Sequence, residues 1–112
     1  MKNVVRTETV SSYWVQIHLS GPLAEIEQAC RKDFLDKGLC VTVTPTKFIY
    51  TGGEETGAVV RLLNYHRFSA SSDSIWERAC DLALKLLEAT HQMSILVEDS
   101  VHTVWMTKRD MA

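Results

Sequence analysis

The run from Leu39 to Phe68 constrains the fold most, because two β-rich segments flank a glycine-rich turn. The predicted turn, Thr51 to Gly57, holds three glycines, which tolerate positive φ, and two glutamates, which favour water. Both flanking segments, 40–50 and 58–68, are dense in Val, Thr, Ile and aromatic residues. The sequence therefore predicts a β-hairpin.

Each strand of this hairpin combines an apolar face with a mixed face, because successive side chains of a strand point to opposite sides. The residues predicted to face the core are Leu39, Val41, Val43, Ile49, Ala58, Val60 and Leu62. The mixed face is predicted to carry Thr42, Thr44, Thr46, Phe48, Tyr50, Arg61, Tyr65 and Arg67. Pro45 has no amide hydrogen, so its strand is predicted to lie at an edge of the sheet or to be bulged.

Further elements follow on both sides of the hairpin. Alternating residues over 12–20 predict a first strand, and helical spacing predicts a helix from Pro22 to Lys37, ended by Gly38. A second helix is predicted to start at a capping box formed by Ser74 and Glu77 and to end near His91. The last β-rich region, 93–97 and 101–106, is predicted to form a small hairpin.

This order of elements, β-α-β-β-α-β with an extra final strand, is typical of a split βαβ (ferredoxin-like) fold. We therefore predict an α+β protein with an antiparallel sheet and two helices on one of its faces. One domain is predicted over 11–107, with an N-terminal tail over 1–10 and a C-terminal tail over 108–112.

The composition excludes several classes of protein. A net charge of −2 gives no overall basic field for nucleic acid, and no segment is apolar enough to cross a bilayer. The three cysteines, Cys30, Cys40 and Cys80, have no metal or redox spacing and are predicted to be reduced thiols. We expect a soluble intracellular protein with no metal site and no cofactor.

The mixed sheet face is the predicted ligand site, because aromatic rings stack on bases and arginine holds phosphate. The predicted ligand-binding residues are Trp14, Gln16, His18, Thr42, Thr44, Tyr50, Arg61, Tyr65 and Arg67. The segment 58–65 lacks the glycine–aromatic pattern of RNA-recognition motifs, which argues against nucleic acid as the ligand. The alternative is that a partner subunit or a loop covers this face.

Two motifs suggest chemistry but are incomplete. His18-Leu19-Ser20 matches one half of a two-histidine phosphoesterase signature, and no other histidine is followed by x-Ser/Thr. Gly52 and Gly57 have the spacing of a phosphate-binding loop, but Ala58-Val59 stands where lysine and a hydroxyl residue are required. No catalytic residue is therefore predicted.

The run Gly38 to Glu54, followed by Thr56-Gly57 and Leu63-Asn64-Tyr65, resembles a family of small accessory proteins of large tailed bacteriophages. These proteins, of the T-even type among others, are encoded near the phage DNA ligase gene. The resemblance spans roughly Tyr13 to Trp105, and its most specific part is Thr-Pro-Thr…Tyr-Thr-Gly-Gly-Glu. Where many members have a proline after Asn-Tyr, this chain has His66. The resemblance implies a protein that acts in the host cell cytoplasm, is dispensable for building the particle, and brings no known catalytic residues.

From these observations we predict a non-enzymatic protein of host takeover or anti-defence that sequesters a nucleotide-type signalling molecule on its sheet face or at a dimer seam. An uncovered aromatic face also favours a homo-oligomer. One alternative is an inhibitor that binds a host enzyme through the acidic hairpin tip. Another is a nucleic-acid-processing enzyme that uses His18.

Overall fold

The structure, a computed structural model, describes residues 4–34 and 40–109. Its elements are β1 (Trp14–Ser20), α1 (Leu23–Phe34), β2 (Val41–Tyr50), β3 (Gly53–Leu63), a short 3-10 helix (His66–Phe68), α2 (Ser72–Ala89), β4 (Ser94–Glu98) and β5 (Thr103–Thr107). The five strands form one antiparallel sheet in the order β2-β3-β1-β4-β5. The predicted α+β fold with an additional C-terminal strand is confirmed.

The core lies between the sheet and the two helices. Alternate residues of the inner strands are fully buried, among them Val15, Ile17 and Val60. They pack against apolar residues of both helices, including Ile26 of α1 and Leu82 of α2. Because β1 and β4 bury every second residue against the helices, the other face of the sheet has no helical layer in the described part of the chain.

The β2–β3 hairpin is confirmed, but the predicted turn is too long. Tyr50 pairs with Gly53, so the turn is only Thr51-Gly52, and Gly52 has a φ of 91°. Such a turn favours glycine because it requires positive φ. Glu54 and Glu55, predicted to lie in the turn, belong to β3 instead. The predictions for 37–39, the end of the first helix and a core position, lie outside the described residues.

Beyond the sheet, the hairpin continues as a two-stranded segment of residues 47–56, here called the ribbon. The last pair between β1 and β3 is Ser20 with Gly57, so among the described strands the ribbon residues of β2 and β3 pair with one another and not with β1. The Gly21 amide donates to the carbonyl oxygen of Thr56 at 3.0 Å and fixes the base of the ribbon. The predicted core position of Ile49 is wrong, because the ribbon extends past the helices and leaves this side chain 77% exposed.

Pro45 lies in β2, which is an edge strand as predicted. An edge strand has one side without a neighbour, so the missing amide hydrogen of proline breaks no pairing there.

The second helix begins earlier than the sequence predicts. Ser71 is the N-cap of α2, and its side chain accepts a hydrogen bond from the Ser74 amide at 3.1 Å. The capping box predicted for Ser74 and Glu77 is therefore wrong by one turn, because Ser71 satisfies the amide first. The helix ends before Thr90, and His91 follows with a φ of 57°.

The predicted hairpin at the C-terminal end is confirmed as β4 and β5, and its turn is organised by Asp99. The side chain of Asp99 accepts hydrogen bonds from the amides of Val101 and His102 and from the hydroxyl of Tyr13. These donors lower the pKa of Asp99 to about 2. Burial, followed by the hydrogen bond to Asp99, raises the pKa of Tyr13.

Within residues 4–34 and 40–109, no helix is both long and apolar enough to cross a membrane.

Candidate functional site

The face of the sheet opposite the helices, here called the open face, carries the side chains of Trp14, Gln16, His18 and Ser20 from β1 and their cross-strand neighbours. Gln16 lies between Arg61 of β3 and Glu98 of β4. His18 lies between Val59 of β3 and Leu96 of β4, and Leu96 in turn pairs with Trp105 of β5. The open face therefore combines aromatic, acidic and basic groups contributed by all five strands.

Most of the predicted ligand-binding residues do lie on this face. The structure brings Trp14, Gln16, His18, Thr42, Thr44 and Arg61 together on the open face of the sheet. Tyr50 has the same orientation but lies in the ribbon, beyond the end of β1. The sequence-based grouping by strand alternation is thus correct for the residues that are in strands.

The predicted positions of Tyr65 and Arg67 on this face are wrong, because β3 ends at Leu63. The Asn64 side chain donates to the carbonyl oxygen of Ser11 at 2.7 Å and accepts from the Ala70 amide at 3.1 Å. These bonds direct the chain away from the sheet and into the 3-10 helix. A role of Tyr65 and Arg67 in ligand binding stays a prediction.

At one end of the open face, the guanidinium of Arg61 lies over the Trp14 ring, 5.6 Å from its centroid. This geometry is a cation–π contact. Among the described residues, Nε of Arg61 is the buried side-chain nitrogen that has no hydrogen-bond partner. The guanidinium therefore stacks on a ring, and the predicted role of Arg61 in holding a phosphate stays a prediction.

At the other end, a cleft of about 510 Å³ lies between the ribbon and strands β1, β4 and β5. We call it the aromatic–acidic cleft, and its side chains of interest are His18, Ser20, Phe48, Tyr50, Glu55, Leu96, Glu98 and Trp105. Three aromatic rings and one leucine provide surfaces on which a planar base can stack. Of the described residues that line the cleft, none is lysine or arginine.

Two hydroxyl groups fix Glu55 in this cleft. The Ser20 hydroxyl donates to Oε2 at 2.6 Å, and the Tyr50 hydroxyl donates to Oε1 at 3.2 Å. Partial desolvation raises the pKa of Tyr50, and the adjacent Glu55 carboxylate raises it further. The Tyr50 phenol therefore stays protonated and remains a donor at neutral pH.

The second carboxylate of the cleft, Glu98, is paired with a histidine. Nε2 of His18 lies 2.5 Å from Oε1 of Glu98. The His18 side chain is 24% exposed and the Glu98 side chain is 31% exposed. The other histidines lie elsewhere, His66 in the 3-10 helix, His91 after α2 and His102 in the β4–β5 turn. The described residues therefore bring no second histidine to the cleft for a two-histidine mechanism.

Six side chains of the cleft were not among the predicted ligand-binding residues: Ser20, Phe48, Glu55, Leu96, Glu98 and Trp105. Glu55 was assigned to the turn, although pairing from Gly53 onwards places it in β3. Alternation along β4 and β5 could have placed Leu96, Glu98 and Trp105 on one face, but only the strand order shows which residues they neighbour. Two carboxylates consequently change the expected basic character of this face.

A larger cavity, of about 1290 Å³, lies between the start of α2 and the β4–β5 turn. The carboxylate in its wall, Asp99, already accepts hydrogen bonds from Tyr13 and from two backbone amides. The Trp76 and His102 rings, whose centroids lie 6.2 Å apart, cover part of its wall. The hydrogen bonds of Asp99 stabilise the β4–β5 turn. We therefore take the aromatic–acidic cleft as the better candidate site.

No group of three or more metal-ligating side chains is assembled in the described part of the chain. The cysteines are separated in the fold, with Cys30 buried, Cys80 half-buried and Cys40 exposed. Burial raises the pKa of the Cys30 thiol to about 11, which keeps it protonated.

Two solved structures share the fold described above. One is a phage SAM lyase in its apo state (SAM is S-adenosylmethionine), with a TM-score of 0.71 and 13% sequence identity over 96% of this chain and 100% of that chain. The other is a phage SAM lyase in complex with S-methyl-5′-thioadenosine, with a TM-score of 0.64 and 15% identity over 94% and 96% of the two chains. No protein-family model matches the sequence. No curated protein matches it either.

These comparisons correct the functional prediction. The neighbours are phage proteins, which agrees with the resemblance to phage accessory proteins. The prediction of a non-enzymatic protein that sequesters a signalling molecule is contradicted, because both structures that share the fold are of a lyase. The expectation that the ligand is a small molecule is supported, because one of the two neighbouring structures holds a small molecule.

Proposed function

We propose that this protein is an enzyme that cleaves S-adenosylmethionine and releases S-methyl-5′-thioadenosine. The observation that carries the proposal is the fold shared with a phage SAM lyase over 96% of the chain, together with an aromatic–acidic cleft on the open face. A site for this substrate needs a surface for adenine and negative groups for the sulfonium and ammonium charges. The cleft provides both.

Trp105 and Tyr50 are the candidate stacking surfaces for adenine. Their side chains are about half exposed, at 49% and 53%, and both line the cleft. Rings that protrude in this way have a free face, and stacking of a base on such a ring contributes about 1–3 kcal/mol. Phe48 and Leu96 complete the apolar part of the wall.

Glu55 and Glu98 provide the negative potential. SAM carries a sulfonium, an ammonium and a carboxylate, so its net charge is positive, whereas the thioether product has lost the sulfonium charge. Carboxylates in the cleft therefore attract the substrate more strongly than the product. Of the predicted ligand-binding residues, His18 and Tyr50 line the cleft, and Trp14, Gln16, Thr42, Thr44 and Arg61 extend the same face.

The proposed reaction breaks the bond between sulfur and the four-carbon amino-acid fragment. Sulfur keeps the electron pair of that bond and becomes the neutral thioether of methylthioadenosine. A lyase does not add water, so the carbon fragment either closes on its own carboxylate or loses a proton. In both cases this fragment is lighter than homoserine by one water.

We also propose an anti-defence role in the host cell and a homo-oligomeric state. Consumption of SAM in the host cytoplasm would deprive methylating defence systems of their methyl donor, which fits an anti-defence role. A place among T-even-type accessory proteins, encoded near the DNA ligase gene, rests on the sequence resemblance. A homo-oligomer is proposed because the ribbon exposes Ile49 by 77% and the cleft is open on one side.

The direct test incubates purified protein with SAM and identifies both products by mass spectrometry. Because SAM decomposes slowly on its own, a protein-free sample and a heat-denatured sample are the controls. We expect methylthioadenosine to form faster than in either control, together with the carbon fragment that lacks one water. A rate equal to the controls would contradict the proposal, and homoserine as the first product would indicate a hydrolase.

A further inference from the structure

We propose that Glu55 is the specificity-determining group of the cleft and selects adenosine derivatives that carry a positive charge on the 5′ substituent. This inference rests on the proposed function, because it takes adenosine as the common part of the ligand. It adds that the charge of this one carboxylate decides which adenosine compounds bind.

The two carboxylates of the cleft differ in the groups that contact them. Oε1 of Glu98 lies 2.5 Å from Nε2 of His18, so this carboxylate already has an imidazole ring as its partner. Glu55 accepts its hydrogen bonds from the neutral hydroxyls of Ser20 and Tyr50. Neutral donors orient a carboxylate without cancelling its charge, so Glu55 presents a fixed negative charge to a ligand.

The hydrogen bonds also determine where this charge lies. Ser20 is the last residue of β1, whereas Tyr50 precedes the ribbon turn, so Glu55 is bound from the sheet and from the opposite ribbon strand. Both carboxylate oxygens have a donor, which holds the group at the wall of the cleft. The aromatic side chains of Phe48, Tyr50 and Trp105 line the same cleft. A ligand stacked on these rings would place its 5′ substituent among groups that favour cations.

The same residues disfavour anions. No lysine or arginine is among the described residues that line the cleft, and Arg61 of the open face stacks on Trp14 at the other end. A 5′-phosphate would therefore meet two carboxylates and no permanent cation. Adenosine nucleotides are the abundant competitors in a cell, and like charges would exclude them. The inferred ligand class is thus adenosyl sulfoniums and ammoniums, with or without an amino-acid part.

Glu54 provides a matched control for Glu55. It is the preceding residue, carries the same charge and points to the other side of the ribbon, where Nζ of Lys47 lies 3.8 Å from Oε2. The variants Glu54→Gln and Glu55→Gln thus change the net charge equally. Only the second removes charge from the aromatic–acidic cleft.

The experiment measures binding of three stable adenosine compounds by calorimetry: 5′-amino-5′-deoxyadenosine, which is a cation at neutral pH, neutral methylthioadenosine, and 5′-adenosine monophosphate. The wild-type protein should prefer the amine to the thioether by about fivefold, which is ~1 kcal/mol, and bind the monophosphate most weakly. In Glu55→Gln the preference for the amine should fall to about twofold or less, with the affinity for the thioether nearly unchanged. Glu54→Gln should keep the wild-type preference.

An unchanged preference in Glu55→Gln, or an equal loss in Glu54→Gln, would overturn the inference. Either result would leave the proposed cleavage of SAM standing, because turnover is measured separately. Conversely, selective binding of the amine without turnover of SAM would support the inference and remove the proposed activity. If none of the three compounds binds, the inference fails, and the turnover assay alone decides the proposed cleavage of SAM.

Discussion

Glu55 accepts a hydrogen bond of 2.6 Å from the hydroxyl of Ser20, although 35 residues separate them in the sequence. The bond links the ribbon to the end of β1 and is made at the point where the hairpin leaves the sheet. It therefore connects a fold feature, the long β2–β3 hairpin, with the carboxylate that we place in the ligand site.

Loss of this bond should weaken substrate binding. Ser20→Ala and Tyr50→Phe each remove one of the two donors that hold the Glu55 carboxylate at the wall of the cleft. We expect each to raise KM for SAM about twofold to fivefold with a smaller change in kcat, because one hydrogen bond contributes about 0.5–1.5 kcal/mol. Steady-state kinetics measure this, with Ser100→Ala in the exposed β4–β5 turn as control. A fall in kcat alone would argue that these hydroxyls act in the chemical step.

Trp105 should contribute to affinity but little to stability. Its side chain is 49% exposed and lines the cleft, so Trp105→Ala removes a stacking surface without opening the core. We expect a loss of methylthioadenosine affinity of about tenfold and a change in the free energy of unfolding below about 1 kcal/mol. Calorimetric titration and urea denaturation provide the two values.

The matched comparison for this prediction is Trp14→Ala, at the Arg61 end of the same face. It should leave methylthioadenosine affinity within about twofold of wild type, because Trp14 does not line the cleft. Equal losses of affinity in both variants would place the ligand elsewhere on the open face.

Gly57 should tolerate no side chain, although it lies in a strand. A Cβ atom there would be 2.8 Å from Cε2 of Phe48 and 2.8 Å from Cα of Ser20, and closer still to the carbonyl oxygen of Leu19. Two of these neighbours are backbone atoms of β1 and cannot move without disturbing the sheet. Gly57→Ala should therefore lower the free energy of unfolding by about 1–3 kcal/mol, measured by urea denaturation.

The control for Gly57 is Gly52, which requires positive φ but has no atom within 4 Å of the place a Cβ would take. Gly52→Asn should cost less than Gly57→Ala, because asparagine tolerates the left-handed region. If the two substitutions cost the same, the close approach of β1 and β3 at Gly57 is not a constraint.

Asp99 should make stability depend on acid pH. Its pKa in the folded protein is about 2, below its ordinary value of 3.8, so the folded state favours the charged form. The resulting stabilisation is complete above about pH 5 and is lost as the pH falls towards 2. Urea midpoints measured from neutral pH down to about pH 2 should decline over this interval.

In Asp99→Asn the decline of the urea midpoint should be shallower, because the amide does not titrate. Asp81→Asn, on the exposed side of α2, serves as the control and should retain the wild-type slope. A slope that is unchanged in Asp99→Asn would show that other carboxylates determine the acid sensitivity.

The fold could be predicted from local patterns because its signals are local. Alternation in Trp14–Ser20 identified a strand with one buried face, and Pro45 identified an edge strand from the missing amide. The turn was predicted too long because glycine and glutamate are common in turns, whereas pairing of Tyr50 with Gly53 lets β3 begin directly after Gly52. Strand pairing thus overrode the local preference of Glu54 and Glu55.

The site could be predicted only in part, because its key contacts are distant in sequence. His18 and Glu98 are 80 residues apart, and their contact follows from the pairing of β1 with β4. Without knowledge of this pairing, the charged residues that could be assigned to the face were Arg61 and Arg67, and these predicted a ligand with a phosphate group. In the structure Arg61 stacks on Trp14, β3 ends before Arg67, and two carboxylates line the cleft, so the ligand that we propose is a cation where the sequence suggested an anion.

The most direct test of the account compares the initial rates of methylthioadenosine formation from SAM by wild type, Glu55→Gln and Glu54→Gln, each corrected for the protein-free rate. With SAM below saturation, we expect a wild-type rate above background, about a fivefold loss in Glu55→Gln and less than about a twofold change in Glu54→Gln. A wild-type rate at background would contradict the proposed enzyme. Equal rates in the two variants would show that the aromatic–acidic cleft is not where SAM binds.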